Sequence, residues 1–382
     1  MFHTASFDDI KKGETTDIYF RRTKEILKAK RIKKNVVAEF TASSLPKEYK
    51  WGILAGIEEV SELLRGFPLN VYSMPEGSIF FRGEPVLRIE GEYSIFCELE
   101  TPILGLICQA SGIATKAARL SKLTRKPILS FGIRRMHPAI APMIDRVAYL
   151  GGMDGFSGIG AQKLIGKKAS GTMPHALIIT VGELKRALEY FDEIVPKDVP
   201  RIALVDTYKD EKFAALEASK TLKNLYAVRL DTPSNRRGSM RSLVDEVRWE
   251  LDIRGFENVK IFISGGIDEE ELLELENADA FGIGTSISNA KTIDFAMDIV
   301  EIEGKPAAKR GKLGGKKEVF RCSNCMTSKL TYRKEREICK NCGNEMQKIL
   351  KPLIENGNIV GELPRIEEIK SYVLKQLEKV QI

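Results

Sequence analysis

The chain has 382 residues, 43% of them apolar and 30% charged, with a net charge of +7. That describes a soluble globular protein too long for one ordinary core, and predicts two or three domains. No uncharged run reaches membrane-spanning length and residues 1–20 carry no apolar core of signal type, so a cytoplasmic protein without a membrane partner is expected. The positive excess suits an anionic small substrate as well as nucleic acid and decides neither.

A polar N-terminal stretch ends at Thr16-Asp17-Ile18-Tyr19-Phe20, and Arg21-Arg22-Thr23 lead into a basic helix ending near Lys34. A strand is predicted over 36–40. Over 49–64 the apolar residues Ile53, Leu54, Ile57, Val60, Leu63 and Leu64 fall at helical spacing, with Gly66 as the stop. Short antiparallel strands follow over 70–89, split by turns at Pro75-Glu76-Gly77 and 82–85. A long helical stretch over 98–123 holds Ser111-Gly112-Ile113-Ala114-Thr115. An N-terminal α+β domain is therefore expected over 1–120.

The rhythm then changes. Apolar strands are predicted at 127–131, 146–150, 176–179, 202–205, 226–230, 259–263 and 280–283, most of them separated by helices such as 181–191, 212–222 and 241–254. Such alternation gives right-handed parallel crossovers. The expected fold class is α/β, an irregular barrel short of eight strands over 121–300. An open doubly wound sheet is the alternative, but no GxGxxG follows the first strand. The C-terminal region, 301–382, begins with a basic, glycine-containing link at 303–318. An amphipathic helix over 364–382, with Ile369, Val373 and Leu377 on one face, is expected to pack back on the body.

Between them, over 319–346, lie Cys322-Ser323-Asn324-Cys325 and Cys339-Lys340-Asn341-Cys342, two CxxC pairs separated by thirteen residues. Four thiolates from two such knuckles suit a structural Zn²⁺ with a full shell and no open position, in a zinc-ribbon-like module. A redox pair and a nucleic-acid-binding ribbon are the competing readings. Lys329, Arg333, Lys334 and Arg336 permit nucleic-acid contact, but Phe320 and Tyr332 are the few aromatic residues for stacking. The two remaining cysteines, Cys97 and Cys108, stand alone in apolar surroundings, and the pattern of all six, four of them clustered in CxxC pairs, points in a cytosolic protein to metal rather than disulfides.

In a barrel of this kind function sits at the C-terminal ends of the strands. Those ends read Phe131-Gly132-Ile133-Arg134-Arg135-Met136-His137, then Gly151 to Ser157 with Asp154 inside, then Gly171-Thr172-Met173-Pro174-His175, then Asp206-Thr207-Tyr208, then Arg229 and Asp231-Thr232. Paired arginines can hold a carboxylate or pyrophosphate. Asp206 and Asp231 can bind sugar hydroxyls or Mg²⁺ carried by phosphates. Phe131 and Tyr19 can face an aromatic ring. The last two strands end in Ser264-Gly265-Gly266 and Gly284-Thr285-Ser286, small residues whose backbone N–H groups can approach a phosphate closely. Glu269 to Glu271, just beyond the first of these turns, would repel that phosphate, so the loop amides are expected to hold it.

Taken together, these pieces resemble nicotinate phosphoribosyltransferase of the archaeal type, on the type II fold also used by quinolinate and nicotinamide phosphoribosyltransferases. The matching segments are TDIYFRRT, SGIAT, FGIRR, GGMDGFS, GTMPH, VDTY, VRLDT, ISGG and GIGTS, in that order, with the basic link GKPAAKRGKLGGKKEVFR after them. The resemblance implies transfer of phosphoribose from phosphoribosyl pyrophosphate to nicotinate in NAD biosynthesis. Phe131 would stack on the pyridine ring and Tyr19, from a neighbouring subunit, on its other side, with Arg21 from the same motif. Arg134 and Arg135 would hold the nicotinate, with His137, Asp154, Ser157 and Thr172 lining the substrate. Asp206, Arg229 and Asp231 would line ribose and pyrophosphate, and Ser264, Gly265, Gly266, Gly284 and Thr285 would take the 5-phosphate.

His175 matches the histidine that relatives phosphorylate with ATP, in a ligase-type coupling. Its neighbours Pro174 and Ala176 differ from many relatives, which leaves that coupling open. The resemblance further implies a homo-oligomer, at least a dimer, with the site near the subunit interface, and no nucleic-acid partner. Quinolinate phosphoribosyltransferase with decarboxylation is the nearest alternative, and a zinc-ribbon nucleic-acid-binding protein the one from another class. SGIAT is shared with the quinolinate branch, whereas FGIRR and TDIYFRRT favour nicotinate.

Overall fold

A computed structural model describes residues 2–332 and 336–382, so Arg333 and Lys334 lie outside the described residues. Among these no helix is long and apolar enough to cross a membrane. The chain forms two compact units, one made of Met1–Ala118, Leu150–Gly152 and Ala290–Ile382, the other of Arg119–Tyr149 and Met153–Asn289.

The first unit is built on a seven-stranded sheet whose order is Lys305–Pro306, Asp294–Ile302, Asn35–Ser44, Pro85–Glu92, Asn70–Ser73, Lys351–Glu355 and Asn358–Ile359. Every pairing in it is antiparallel. Helix Glu100–Leu123 carries the SGIAT stretch, which this unit uses for packing. The Ser111 and Thr115 hydroxyls accept the backbone N–H groups of Ala55 and Ile53 at 3.0 and 2.8 Å. A Cβ on Gly112 would lie 2.4 Å from the Lys291 carbonyl oxygen, so the segment reaching the sheet strand can pass there only over glycine.

The helix expected over 49–64 is shorter, Ile57–Leu64. Gly52–Ile53 pairs instead with Ile79–Phe80, and Gly56, at φ +92°, turns the chain between strand and helix. The basic link is tied down by acids. Lys309 and Lys312 pair with Asp298 at 3.0 and 2.8 Å, Lys316 with Glu90 at 2.7 Å, and Lys317 with the buried Glu39 at 2.8 Å. Helix Ile366–Leu377 buries Ile366, Ile369, Val373, Gln376 and Leu377 along one face.

The second unit holds six parallel strands: Ile128–Ser130, Gly155–Phe156, Arg201–Leu204, Leu225–Leu230, Lys260–Ser264 and Ala280–Ile283. Their order in the sheet is second, first, sixth, fifth, fourth, third. The second and third strands, at the two edges, do not pair, so the sheet is a parallel half-barrel of mixed α/β type.

Two predicted strands are helices. Residues 146–150 belong to Ala141–Leu150, where Ile144, Val147, Ala148 and Leu150 are buried at helical spacing. Residues 176–179 belong to His175–Val181, bracketed by Pro174 at the N-cap and Gly182 at φ +89°. Only Ile178 of that helix is buried, whereas a strand inside a parallel sheet would bury nearly every residue. The second strand is Gly155–Phe156, both residues buried, within the stretch read from sequence as a turn.

Candidate active site

The C-terminal ends of the fourth and fifth strands deliver a hydrogen-bonded cluster centred on Arg229. Its guanidinium donates to Ser264 Oγ at 2.9 Å, Thr172 Oγ1 at 2.9 Å and Asp231 Oδ2 at 3.2 Å. The Ser264 hydroxyl donates to Asp231 Oδ1 at 2.8 Å. The same guanidinium lies 5.5 Å from the centre of the Phe131 ring, within cation–π range. Burial pushes the Arg229 pKa down; Asp231 and Asp206 oppose that, and the Arg134 charge adds to it. Arg229 is thus a half-buried cation held by one carboxylate, one ring face and two hydroxyls.

His175 stands at the first turn of its helix, with Nδ1 3.0 Å from Thr207 Oγ1. Its Nε2 lies 3.5 Å from Asp206 Oδ2 and 3.8 Å from Asp231 Oδ2. The Asp206 side chain is 1% exposed, and neither of its oxygens has a hydrogen-bond partner. Burial raises its pKa, against the pull of His175 and Arg229. A buried carboxylate without donors is costly, and a cation or a pair of hydroxyls arriving at this rim would relieve it.

Beside this cluster the chain turns on Gly265 and Gly266, at φ +86° and +73°. A Cβ on Gly265 would lie 2.8 Å from Asp231 Oδ1, so any side chain there must displace that carboxylate as well as take a left-handed backbone. The Ser286 hydroxyl donates to the Ile267 carbonyl at 2.7 Å and ties the second small-residue turn to the first. Phe131 N–H donates to Ile283 O at 2.8 Å, which lays its backbone beside Gly284, while its ring covers Gly282, where an added Cβ would lie 2.6 Å from it. A cavity of about 520 Å³ runs along the sheet, with Phe131 and Thr172 at one end and Pro127, Lys260 and Asp279 at the other.

The remaining candidates lie outside this hydrogen-bonded cluster. Arg134 and Arg135 occupy an exposed turn, Ile133–Arg135, directly after Phe131. His137 is exposed and its Nδ1 accepts the Ala139 N–H at 3.2 Å, capping the next turn. Ser157 leaves the end of the second strand, its N–H on Ser130 O at 3.0 Å. Asp154 is not brought to the cluster. It precedes the second strand, and its Oδ2 accepts Ile128 N–H at 3.0 Å at the beginning of the first, the opposite end of the sheet. In the first unit, Tyr19 is 55% exposed, and Arg21 pairs with the buried Glu98 at 2.6 Å.

The four cysteine sulfurs, Cys322, Cys325, Cys339 and Cys342, lie within 4.8 Å of one another, so the cluster could hold a metal ion such as zinc. The two loops are matched. Cys322 O accepts Met326 N–H at 3.0 Å and Cys339 O accepts Gly343 N–H at 2.9 Å. Met326 and Gly343 both take positive φ, +58° and +73°. An all-sulfur donor set of this kind is the soft tetrahedral shell that zinc prefers.

Models of the quinolinate phosphoribosyl transferase N-terminal and C-terminal domains match residues 17–111 and 113–298, and that of the nicotinate phosphoribosyltransferase C-terminal domain matches 315–381. One nicotinate phosphoribosyltransferase of Mycobacterium tuberculosis is 31% identical over 264 residues, 65% of this chain and 58% of the relative. A second from that organism is 30% identical over 353 residues, 80% of this chain and 74% of the relative. The chain belongs to the nicotinate phosphoribosyltransferase family.

A crystal structure named nicotinate-nucleotide pyrophosphorylase, from Pyrococcus furiosus, is 55% identical with a TM-score of 0.98, covering 100% of this chain and 99% of that one. Human nicotinic acid phosphoribosyltransferase, 20% identical over 96% of this chain and 94% of its own, shares the fold at a TM-score of 0.73. The chain thus spans 58% of the length of the first Mycobacterium relative and nearly all of the Pyrococcus one.

Within this member of the nicotinate phosphoribosyltransferase family, two supporting residues escape a reading by strand ends. Arg119, 7% exposed, grips Glu269 with two hydrogen bonds at 2.9 and 2.7 Å. Asp268 and Glu271 are spent on a capping box of helix Glu269–Glu274. The acidic turn after Gly265-Gly266 is therefore partly neutralised from within. Asp145 is fully buried, accepting Ser130 Oγ at 2.8 Å and Gly158 N–H at 2.9 Å, and burial raises its pKa. It clamps the loop that follows the second strand. The signal that could have revealed it was helical spacing across 141–150, which points one acidic residue into the core.

Proposed function

We propose that the protein joins nicotinate to 5-phosphoribosyl 1-pyrophosphate, giving nicotinate mononucleotide and pyrophosphate, a step of NAD biosynthesis. The observation that carries this reading is the convergence of Phe131, Thr172, His175, Arg229, Asp231, Ser264 and Gly265 at one rim of the half-barrel. The names of the curated relatives and of human nicotinic acid phosphoribosyltransferase support it.

In this reaction the lone pair of the pyridine nitrogen forms a bond to the anomeric carbon. The bond from that carbon to pyrophosphate breaks, and pyrophosphate leaves with the electron pair. The sugar passes through an oxocarbenium-like state, and no protein nucleophile is required. Catalysis is then positioning and charge stabilisation, and well-oriented reactants alone lower a barrier by about 7–11 kcal/mol. Phe131 offers its face to the pyridine ring, and Arg134 and Arg135 hold the carboxylate. Arg229, with Asp206 and Asp231, meets the ribose and pyrophosphate, while the 264–266 and 284–285 turns take the 5-phosphate.

The Asp206 carboxylate, which accepts no hydrogen bond, with Asp231 beside it, fits Mg²⁺ carried on pyrophosphate, which when bound would neutralise charge on the leaving group. Tyr19 and Arg21 act from a neighbouring subunit, which makes the working form at least a homodimer. His175, facing Asp206 and Thr207, is the residue through which ATP would be coupled. The cysteine cluster carries structural zinc.

The test is to mix the protein with phosphoribosyl pyrophosphate and nicotinate, quinolinate or nicotinamide, each with and without ATP, and to follow pyrophosphate. Turnover with nicotinate is the expected outcome. Turnover with quinolinate alone, with release of CO₂, overturns the substrate assignment, and no turnover with any pyridine overturns the reaction.

A further inference from the structure

A second cleft lies in the first unit, between the cysteine loops and the terminal helix, far in sequence from the strand ends. Its volume is about 300 Å³. Five cationic side chains line it, Arg321, Lys348, Lys351, Lys375 and Lys379, and no carboxylate does. Two of these charges are already compensated, Arg321 by Glu84 at 2.6 Å and Lys348 by Glu318 at 2.8 Å. Lys379 donates to the Ser323 carbonyl at 2.6 Å and makes no ion pair among the described residues. Lys351 and Lys375 have no partner at all among the described residues. Three lysines without a carboxylate partner therefore line one concavity that holds no carboxylate, and Lys351 also borders the neighbouring cleft of Glu58, Glu76 and Glu362.

The walls are fixed. Gln376 bridges the helix to the sheet, accepting Ile79 N–H at 2.9 Å and donating to Gly77 O at 2.9 Å. Gly77 lies so close to the helix that an added Cβ would come within 2.9 Å of Ile369. Arg321, 4% exposed, sits at the back, with a guanidinium also bonded to Ile79 O at 3.0 Å and its Nε without a partner. Tyr372 and Ser323 add hydroxyls to the lining.

Like charges gathered around one cleft repel one another, and that repulsion is relieved by a multiply charged anion. The volume is at the lower edge of small-ligand pockets, about 300–1,000 Å³, which excludes a polymer from filling it. We propose that this cleft binds a phosphoanion of mononucleotide size, bridging the cysteine loops to the terminal helix.

The experiment is amine acylation of the full chain read by mass spectrometry, with AMP, inorganic phosphate or adenosine as probe. AMP and phosphate should shield Lys351, Lys375 and Lys379 selectively, while the exposed Lys220 stays reactive and adenosine shields nothing. Equal shielding by both anions identifies free phosphate as the source; stronger shielding by AMP identifies a nucleotide. In Lys351→Glu/Lys375→Glu, two surface changes that leave the core intact, shielding of Lys379 should need about tenfold more AMP. No selective shielding, shielding by adenosine equal to AMP, or an unchanged dose in the double variant would each overturn the proposal.

Discussion

Gly265→Ala and Gly266→Ala form a controlled pair. Both residues lie at positive φ, +86° and +73°, so alanine at either costs about 1–2 kcal/mol of backbone strain. Their surroundings differ. A Cβ at Gly266 meets nothing within 4 Å, whereas one at Gly265 lies 2.8 Å from Asp231 Oδ1. That carboxylate must move, and it accepts Ser264 Oγ at 2.8 Å and Arg229 Nη2 at 3.2 Å. Each such bond to a charged group is worth about 1.5–3 kcal/mol, so losing one lowers kcat/KM by about 10–150-fold.

Both alanines keep the backbone N–H. Urea unfolding should therefore show a loss of about 1–2 kcal/mol for Gly266→Ala and a larger one for Gly265→Ala, which adds a lost bond of about 1.5–3 kcal/mol to the same strain. Initial rates with phosphoribosyl pyrophosphate should separate them, with the large loss confined to Gly265→Ala. If the two variants are kinetically alike, the Asp231–Arg229 pair does not serve the substrate and the reasoning fails.

Further expectations concern proton, metal and nucleotide. His175→Ala should abolish any stimulation by ATP while sparing basal nicotinate turnover; an unchanged ATP dependence removes His175 from that role. Metal analysis should find about one zinc per chain, and Cys322→Ser should lose it with a lowered Tm; full zinc content in that variant would contradict the assignment. Glu100 has its pKa raised from 4.5 to about 7, first by burial and then by Asp298. A raised carboxyl pKa means the unfolded chain releases this proton first, so the contribution to stability is present below pH 4.5 and lost as pH rises to about 7. Discounted for partial exposure, the loss is about 1–2 kcal/mol. Glu100→Gln should remove that part of the pH dependence in denaturation at pH 5 and 8, and an unaltered difference between the two would rule it out.

Local patterns were readable where one element carried its own signal. The strand ends at Phe131, Arg229 and Ser264 follow continuous apolar runs, and the structure places Arg229 against Phe131 and Ser264. The runs at 146–150 and 176–179 are too short for periodicity to separate strand from helix, and the wider window from Ile144 with Pro174 and Gly182 decides both for helix. That misassignment displaced Asp154, which lies at a strand start. SGIAT had no visible reason in sequence, because the backbone N–H groups it receives belong to residues more than fifty positions away. The same distance hid Arg119, whose partner Glu269 had looked only repulsive. Long-range pairing, as between Asn35–Ser44 and Asp294–Ile302, leaves no local trace either.

The most direct measurement is a crystal structure of the protein with nicotinate mononucleotide. The account predicts the pyridine ring against Phe131, the carboxylate near Arg134, ribose hydroxyls at Asp206 or Asp231, and the phosphate on the amides of Gly265, Gly266, Gly284 and Thr285. A nucleotide bound away from the C-terminal ends of the six strands, with Arg229 and Asp231 untouched, would contradict it.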